Sequence, residues 1–313
     1  SCSSCHKQAL AFSDNAALSR GFQSKLTARN SMPIQNIVSS AFRDTVLPFD
    51  SLDNGDVGAY LPGVEVPRSF FVQPTQLFWD GREADLKIMV TRPIMNHIEM
   101  GIDDLEALSI KLSGIPAYPP LFEKAFGTPE ITPKRLAAGL SAFLLGIRSS
   151  NSKFDFASSK QSNMIISPAM QLSAVEEMGR QLFFDKFNCN SCHEMNGFAD
   201  IGLDQVPRDN GLFDFSGNPA ERGLFKIPSL RNVQVTGPYM HDGRFETLEE
   251  VMDHYSTGIK PSPNLDGRLR DNLGNPKRMR MTDTEKKAIV AFLATLTDYQ
   301  LLSDPRFSNP FRK

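Results

Sequence analysis

The sequence predicts a mainly α protein of two helical, loop-rich domains, each built around one Cys-x-x-Cys-His pentad. Three observations carry this. Helix-start signatures recur along the chain while strand signatures are poor; a Ser-rich stretch divides the 313 residues; and one pentad falls on either side of it, Cys2-Ser3-Ser4-Cys5-His6 and Cys189-Asn190-Ser191-Cys192-His193. A chain of this length suits two domains, placed at residues 1–155 and 156–313.

Taken in order, Asp103 or Asp104 starts a helix through Leu105, Leu108 and Ile110. Thr132-Pro133 starts another, with Pro at a first position where its missing N–H costs nothing; Leu136, Leu140, Phe143, Leu144 and Ile147 form its buried face. The stretch from Ser149 to Gln171 breaks the helical pattern and is expected to be the linker. Ser173-x-x-Glu176, Thr247-x-x-Glu250 and Thr282-x-x-Glu285 are each capping boxes, in which side chain and backbone satisfy one another's orphan groups. Behind Thr282, residues Ile289, Val290, Phe292, Leu293 and Leu296 follow helical spacing.

The composition excludes several classes. A net charge of −2 gives no reason to expect nucleic acid or an anionic membrane as partner and names no docking surface. Apolar runs such as Ala142–Ile147 are too short to span a bilayer.

All four cysteines lie in the pentads, so none remains for a structural disulfide. Paired Cys-x-x-Cys motifs are compatible with zinc or with a redox dithiol. Here each pair is followed directly by His, which zinc does not require and covalent haem does. Two cysteines three apart on a starting helix share one face and can each add to a haem vinyl group. The adjacent histidine then reaches the iron, making His6 and His193 the proximal ligands. Two haem c groups are therefore expected. Haem c is attached outside the cytoplasm, so a periplasmic location follows, and the chain, which starts almost on a pentad, is expected to be processed or trimmed. What lies opposite each histidine decides between catalysis and electron transfer.

Further motifs bring a resemblance. Ala28-Arg29-Asn30, Phe78-Trp79-Asp80-Gly81-Arg82, Pro93 through Ile98-Glu99-Met100, Asn151-Ser152-Lys153-Phe154-Asp155 and Pro238-Tyr239-Met240-His241-Asp242-Gly243 occur in order with the two pentads. In these the chain resembles the bacterial di-haem cytochrome c peroxidases and the MauG-type oxidases over nearly its whole length. The resemblance implies that the amino-terminal haem is the peroxide site and Glu99 its acid–base group, because O–O cleavage needs a carboxyl that moves a proton between oxygens. It implies that Trp79, the one tryptophan, carries a hole between the haems. It implies a calcium ion held through Asn30, Thr236 and Pro238, hard oxygen ligands, and electrons from a small protein such as a cytochrome c or cupredoxin. A homodimer is left open.

The chain departs from the family at three places. Met89 stands where a glutamine is common, ten residues before Glu99. The segment Gly21 to Thr27 has no histidine to close the distal side of the first haem, although His97 lies two residues before Glu99 and is either a partly exposed loop histidine, a second base or a ligand. Fourteen residues after His241, where the peroxidases place Met, stands Tyr255, as in the MauG-type oxidases. Spacing favours Tyr255 over His254 as second-haem ligand, with Met240 and Met252 behind them; Tyr255 as a core aromatic beside an open haem is the remaining reading. Three functions follow: a peroxidase reducing hydrogen peroxide, a MauG-like oxidase modifying side chains of a partner protein, or a non-enzymatic electron carrier or sensor.

Overall fold

A computed structural model describes residues 1–37, 76–158, 168–193, 197–204 and 209–308. It is mainly helical. Among the described residues the regular strands are the two-residue pair Phe198–Ala199 and Phe225–Lys226, antiparallel with Phe198 opposite Lys226.

The helix starts stand where the side chains demand them. Asp104 accepts from the N–H groups of Glu106 and Ala107 and opens the helix Leu105–Ser113. Thr132 caps Pro133–Gly146 through the Arg135 N–H. All three capping boxes close both ways, opening Ala174–Gln181, Leu248–Asp253 and Asp283–Ala294. Each such cap is worth about 1 kcal/mol.

The predicted faces hold with two differences. Ile289, Phe292 and Leu293 are buried almost completely. Ile110, however, is 73% exposed, because the inward row of its helix runs through Leu105, Leu108 and the buried Ser109. Phe143 is 43% exposed because it faces a cavity rather than the core, its ring meeting Phe307 edge to face with centroids 5.8 Å apart.

Two of the three apolar clusters among the described residues stand one behind each pentad. Phe183, Phe187, Val251, Ile289, Phe292 and Leu293 back the second. Gly179 is needed there, since a Cβ on it would lie 1.9 Å from the Ala288 carbonyl of the crossing helix. Phe12, Val90, Ala137, Leu144 and Ile147 back the first, joined from the far end of the chain by Leu301 and Phe307.

A buried polar seam joins these halves. The Asn232 amide donates to Gln35 Oε1 at 2.6 Å and Ser149 Oγ at 3.0 Å, and its Oδ1 accepts from the Asp298 N–H at 2.6 Å. Asp298 accepts in turn from the N–H groups of Ser150 and Asn151. The first part of the expected linker is thus fixed structure: Ser149 and Ser152 are buried, Lys153–Ser158 is a helix, and Asp155 holds Arg231 at 2.7 and 2.8 Å. Hydrogen-bonding side chains rather than apolar ones anchor it, which hydrophobic periodicity does not reveal. Residues 159–167 of that stretch lie outside the described residues.

Candidate functional site

Each pentad opens onto a cavity. Cys2–Cys5 forms a single helical turn, and His6 Nδ1 donates to the Phe12 carbonyl at 2.8 Å. That bond fixes the tautomer and leaves Nε2 with its lone pair toward the cavity. Burial lowers the His6 pKa and keeps the ring neutral. In the second pentad His193 Nδ1 donates to the Pro228 carbonyl at 3.1 Å, with the same consequence, and burial again lowers its pKa.

Neither alternative for the cysteines gains support among the described residues. Among the described residues no three His, Cys, Asp or Glu side chains are grouped to hold a metal ion. Burial pushes the Cys189 thiol up to about 12, the opposite of an activated redox dithiol.

The first cavity, about 720 Å³, is lined by His6, Trp79, Met89, Glu99, Met100 and Phe143 among others. Its histidine, among the described residues, is His6 alone. Glu99 is half-buried, and burial raises its carboxyl pKa, partly offset by the Arg82 charge. A close contact sets its turn: the Phe22 N–H donates to the Ile98 and Glu99 carbonyls at 2.7 and 2.9 Å. Gly21 permits this approach, since a Cβ there would lie 2.0 Å from the Ile98 oxygen and 2.9 Å from Glu99 Cα. His97 points elsewhere; its side chain is 77% exposed and 3.6 Å from Asp103.

The second cavity, about 210 Å³, is lined by His193, Trp79, Tyr239, Met240, Met252 and Tyr255 among others. The helix Leu248–Asp253 passes into a π-helical turn, His254–Gly258, and the wider turn separates the two ring residues. Tyr255 faces the cavity; no partner for its hydroxyl is found among the described residues, and burial raises its pKa far above the usual value. His254 is buried behind it, its Nε2 donating to the Ile201 carbonyl at 2.9 Å.

Trp79 borders both cavities, as do Asn30 and Lys226. Trp79 is buried, with Nε1 donating to the Asn30 carbonyl at 2.9 Å and its own carbonyl accepting from the Lys226 N–H at 2.8 Å. Asn30 is joined to the other side through its N–H on the His241 carbonyl at 2.7 Å. Thr236 and Pro238 share the second cavity with Asn30.

Two features here escaped the sequence. Arg29 bridges Asp80 at 2.6 Å and Asp209 at 2.7 Å; both Arg29 and Asp80 sit in the motifs quoted above, but nothing in the sequence pairs them with Asp209. Phe225 stacks on His241 with centroids 3.7 Å apart, and burial lowers the His241 pKa to about 4, leaving it neutral.

A mainly helical chain with two pentads on facing cavities defines a class of two-centre redox protein. The chain belongs to the di-haem cytochrome c peroxidase family, whose pattern matches residues 1–163 and 173–312. It is 29% identical over 305 residues to methylamine utilization protein MauG of Methylorubrum extorquens, covering 95% of this chain and 72% of that protein. It is 31% identical over 232 residues to cytochrome c551 peroxidase of Nitrosomonas europaea, covering 71% of this chain and 62% of that one. The crystal structure of a MauG-like protein associated with microbial copper homeostasis superposes with a TM-score of 0.76 at 30% identity, covering 100% of this chain and 87% of that chain. Family members are oxidoreductases, and the family implies two haem c groups. No helix among the described residues is long and apolar enough to cross a membrane.

Proposed function

We propose that the protein is a periplasmic di-haem peroxidase that reduces hydrogen peroxide to water with electrons from a small redox protein. One observation carries this: Glu99, half-buried and raised in pKa, lines the same cavity as His6, and no second histidine enters that cavity among the described residues.

The residues fit haem c at both pentads. Both histidines present Nε2 with Nδ1 already committed. Lys226 borders both cavities, is pulled down in pKa by burial, and has no anionic partner among the described residues, so a propionate suits it. Haem iron held there would supply the place where peroxide binds and the store for two oxidising equivalents. Glu99 takes a proton from one peroxide oxygen and returns it to the other, so that the leaving oxygen departs as water. Two electrons from the donor and two further protons complete two waters per peroxide. Trp79, bordering both cavities and fixed by its indole hydrogen bond, offers an oxidisable ring between the centres. Calcium would sit on neutral oxygens: Asn30 Oδ1 and the carbonyls of Thr236 and Pro238 accept no hydrogen bond among the described residues.

A MauG-like oxidase acting on a partner protein is the second reading, favoured by Tyr255. A buried phenolate is costly, so a tyrosinate facing this cavity would require a cation such as ferric iron beside it. Stopped-flow spectra of the ferric protein with peroxide test the first reading. A haem spectral change within seconds and rapid turnover with a reduced cytochrome c or cupredoxin support it; an unchanged spectrum overturns it. A long-lived near-infrared band with negligible turnover of the donor moves the assignment to the second.

A further inference from the structure

We propose that the hairpin at residues 267–280 is the docking surface for the electron donor, and that the donor is an acidic redox protein. The inference deepens the peroxidase reading and rests on it. In a chain of net charge −2, this segment carries Arg268, Arg270, Lys277, Arg278 and Arg280 against one acid, Asp271. Arg268 is neutralised by Asp266 at 2.6 Å. The others have no carboxylate partner among the described residues: Arg270 spends its guanidinium on the carbonyls of Ser262, Pro263, Leu265 and Gly274, and Arg278 on that of Thr257. Lys277, Arg278 and Arg280 are exposed.

The hairpin is built before any partner arrives. Arg270 pairs with Pro276 across it, the Lys277 N–H donates to the Leu269 carbonyl at 2.7 Å, and Asp271 Oδ1 accepts from the N–H groups of Leu273 and Asn275. Asp271 is thus occupied within the turn. At the tip Leu273 is 86% exposed. An exposed apolar tip on a hairpin whose returning strand carries the exposed Lys277, Arg278 and Arg280 suits a small transient interface, where apolar contact excludes water and charge sets partner and association rate.

Its position links it to the second centre. Arg268, Leu269, Lys277 and Met279 line the same cavity as His193, and Arg268 Nη1 donates to the Ser191 carbonyl inside the pentad at 2.6 Å. A donor seated on the hairpin therefore lies against the edge of the His193 site, and its negative charge complements Lys277, Arg278 and Arg280.

Affinity of the haem-loaded protein for two probes tests this: an acidic cupredoxin such as plastocyanin, and a basic cytochrome c. The expected result is binding of the acidic probe that weakens steeply with salt and falls by about tenfold or more in R278E/R280E at low ionic strength, with L273D also weaker. Peroxide-driven spectral change and turnover with a neutral hydroquinone should be the same in the variants as in the parent. Equal affinity of parent and R278E/R280E for the acidic probe, or preference for the basic one, overturns the proposal. Failure of the peroxidase reading shows separately, as an unchanged haem spectrum with peroxide.

Discussion

The Trp79 indole is locked to the Asn30 carbonyl at 2.9 Å, so the ring that borders both cavities is tied to the residue whose amide N–H reaches His241 on the far side. Trp79→Phe keeps an aromatic ring but strands a buried carbonyl, at a cost of about 1–3 kcal/mol in chemical denaturation. Phenylalanine is much harder to oxidise than indole. The variant should still react with peroxide at the first centre but share the oxidising equivalents with the second more slowly, read by following both haem bands in a stopped-flow trace. Parent-like sharing would remove Trp79 from the pathway.

Glu99→Gln should slow the peroxide reaction by roughly 10²–10⁴-fold with haem binding unchanged. As the proposed base Glu99 must be deprotonated to act, and burial raises its pKa, so the parent rate should fall as pH drops through a value above the ordinary carboxyl range. The variant should lack that limb. The linkage sign is opposite to that of a salt-bridged acid: a carboxyl raised in the folded state loses stability as pH rises through its folded pKa. Glu99→Gln should therefore match or exceed the parent in melting temperature above neutral pH.

Tyr255→Phe and His254→Leu should separate. Tyr255 faces the second cavity while His254 is spent on Ile201. Electron paramagnetic resonance of the resting protein should change in Tyr255→Phe and stay parent-like in His254→Leu. The latter should instead lose about 1–3 kcal/mol, since the Ile201 carbonyl is left unpaired. The reverse pattern would return His254 as ligand.

Gly21→Ala tests how Glu99 is placed. The added methyl meets the Ile98 carbonyl, which is backbone and must shift. Overpacking of this kind costs about 1–3 kcal/mol. The peroxide rate should drop with the Glu99 pH limb retained but displaced, which distinguishes a moved carboxyl from a missing one.

Local signals read well in the sequence. The capping boxes at Ser173, Thr247 and Thr282, the Thr132-Pro133 start and the Asp104 cap all depend on neighbours within four residues, and all formed. Family motifs pointed to Glu99, Trp79 and Tyr255; Glu99 lines the first cavity, Tyr255 the second and Trp79 both, while the roles that the resemblance implies for them await the variants above. Long-range pairings were illegible. Arg29 finds Asp209 across 180 positions, and Asp298 anchors Ser150 across 148; no periodicity encodes such partners. The charge balance also hid the cationic hairpin, because a whole-chain sum of −2 averages over it. The separation of His254 from Tyr255 depends on a π-helical turn, which no residue pattern announces.

Leu301 and Phe307 pack behind the first pentad with Phe12, and the Gln8 amide reaches the carbonyls of Leu301 and Asp304 at 3.0 and 2.7 Å. The amino-terminal chamber thus borrows its back wall from residues some three hundred positions downstream. A fragment cut at residue 155 lacks that wall, and clipping the last turns would injure the centre farthest from them in sequence. The molecule closes as a belt does, buckle to tip.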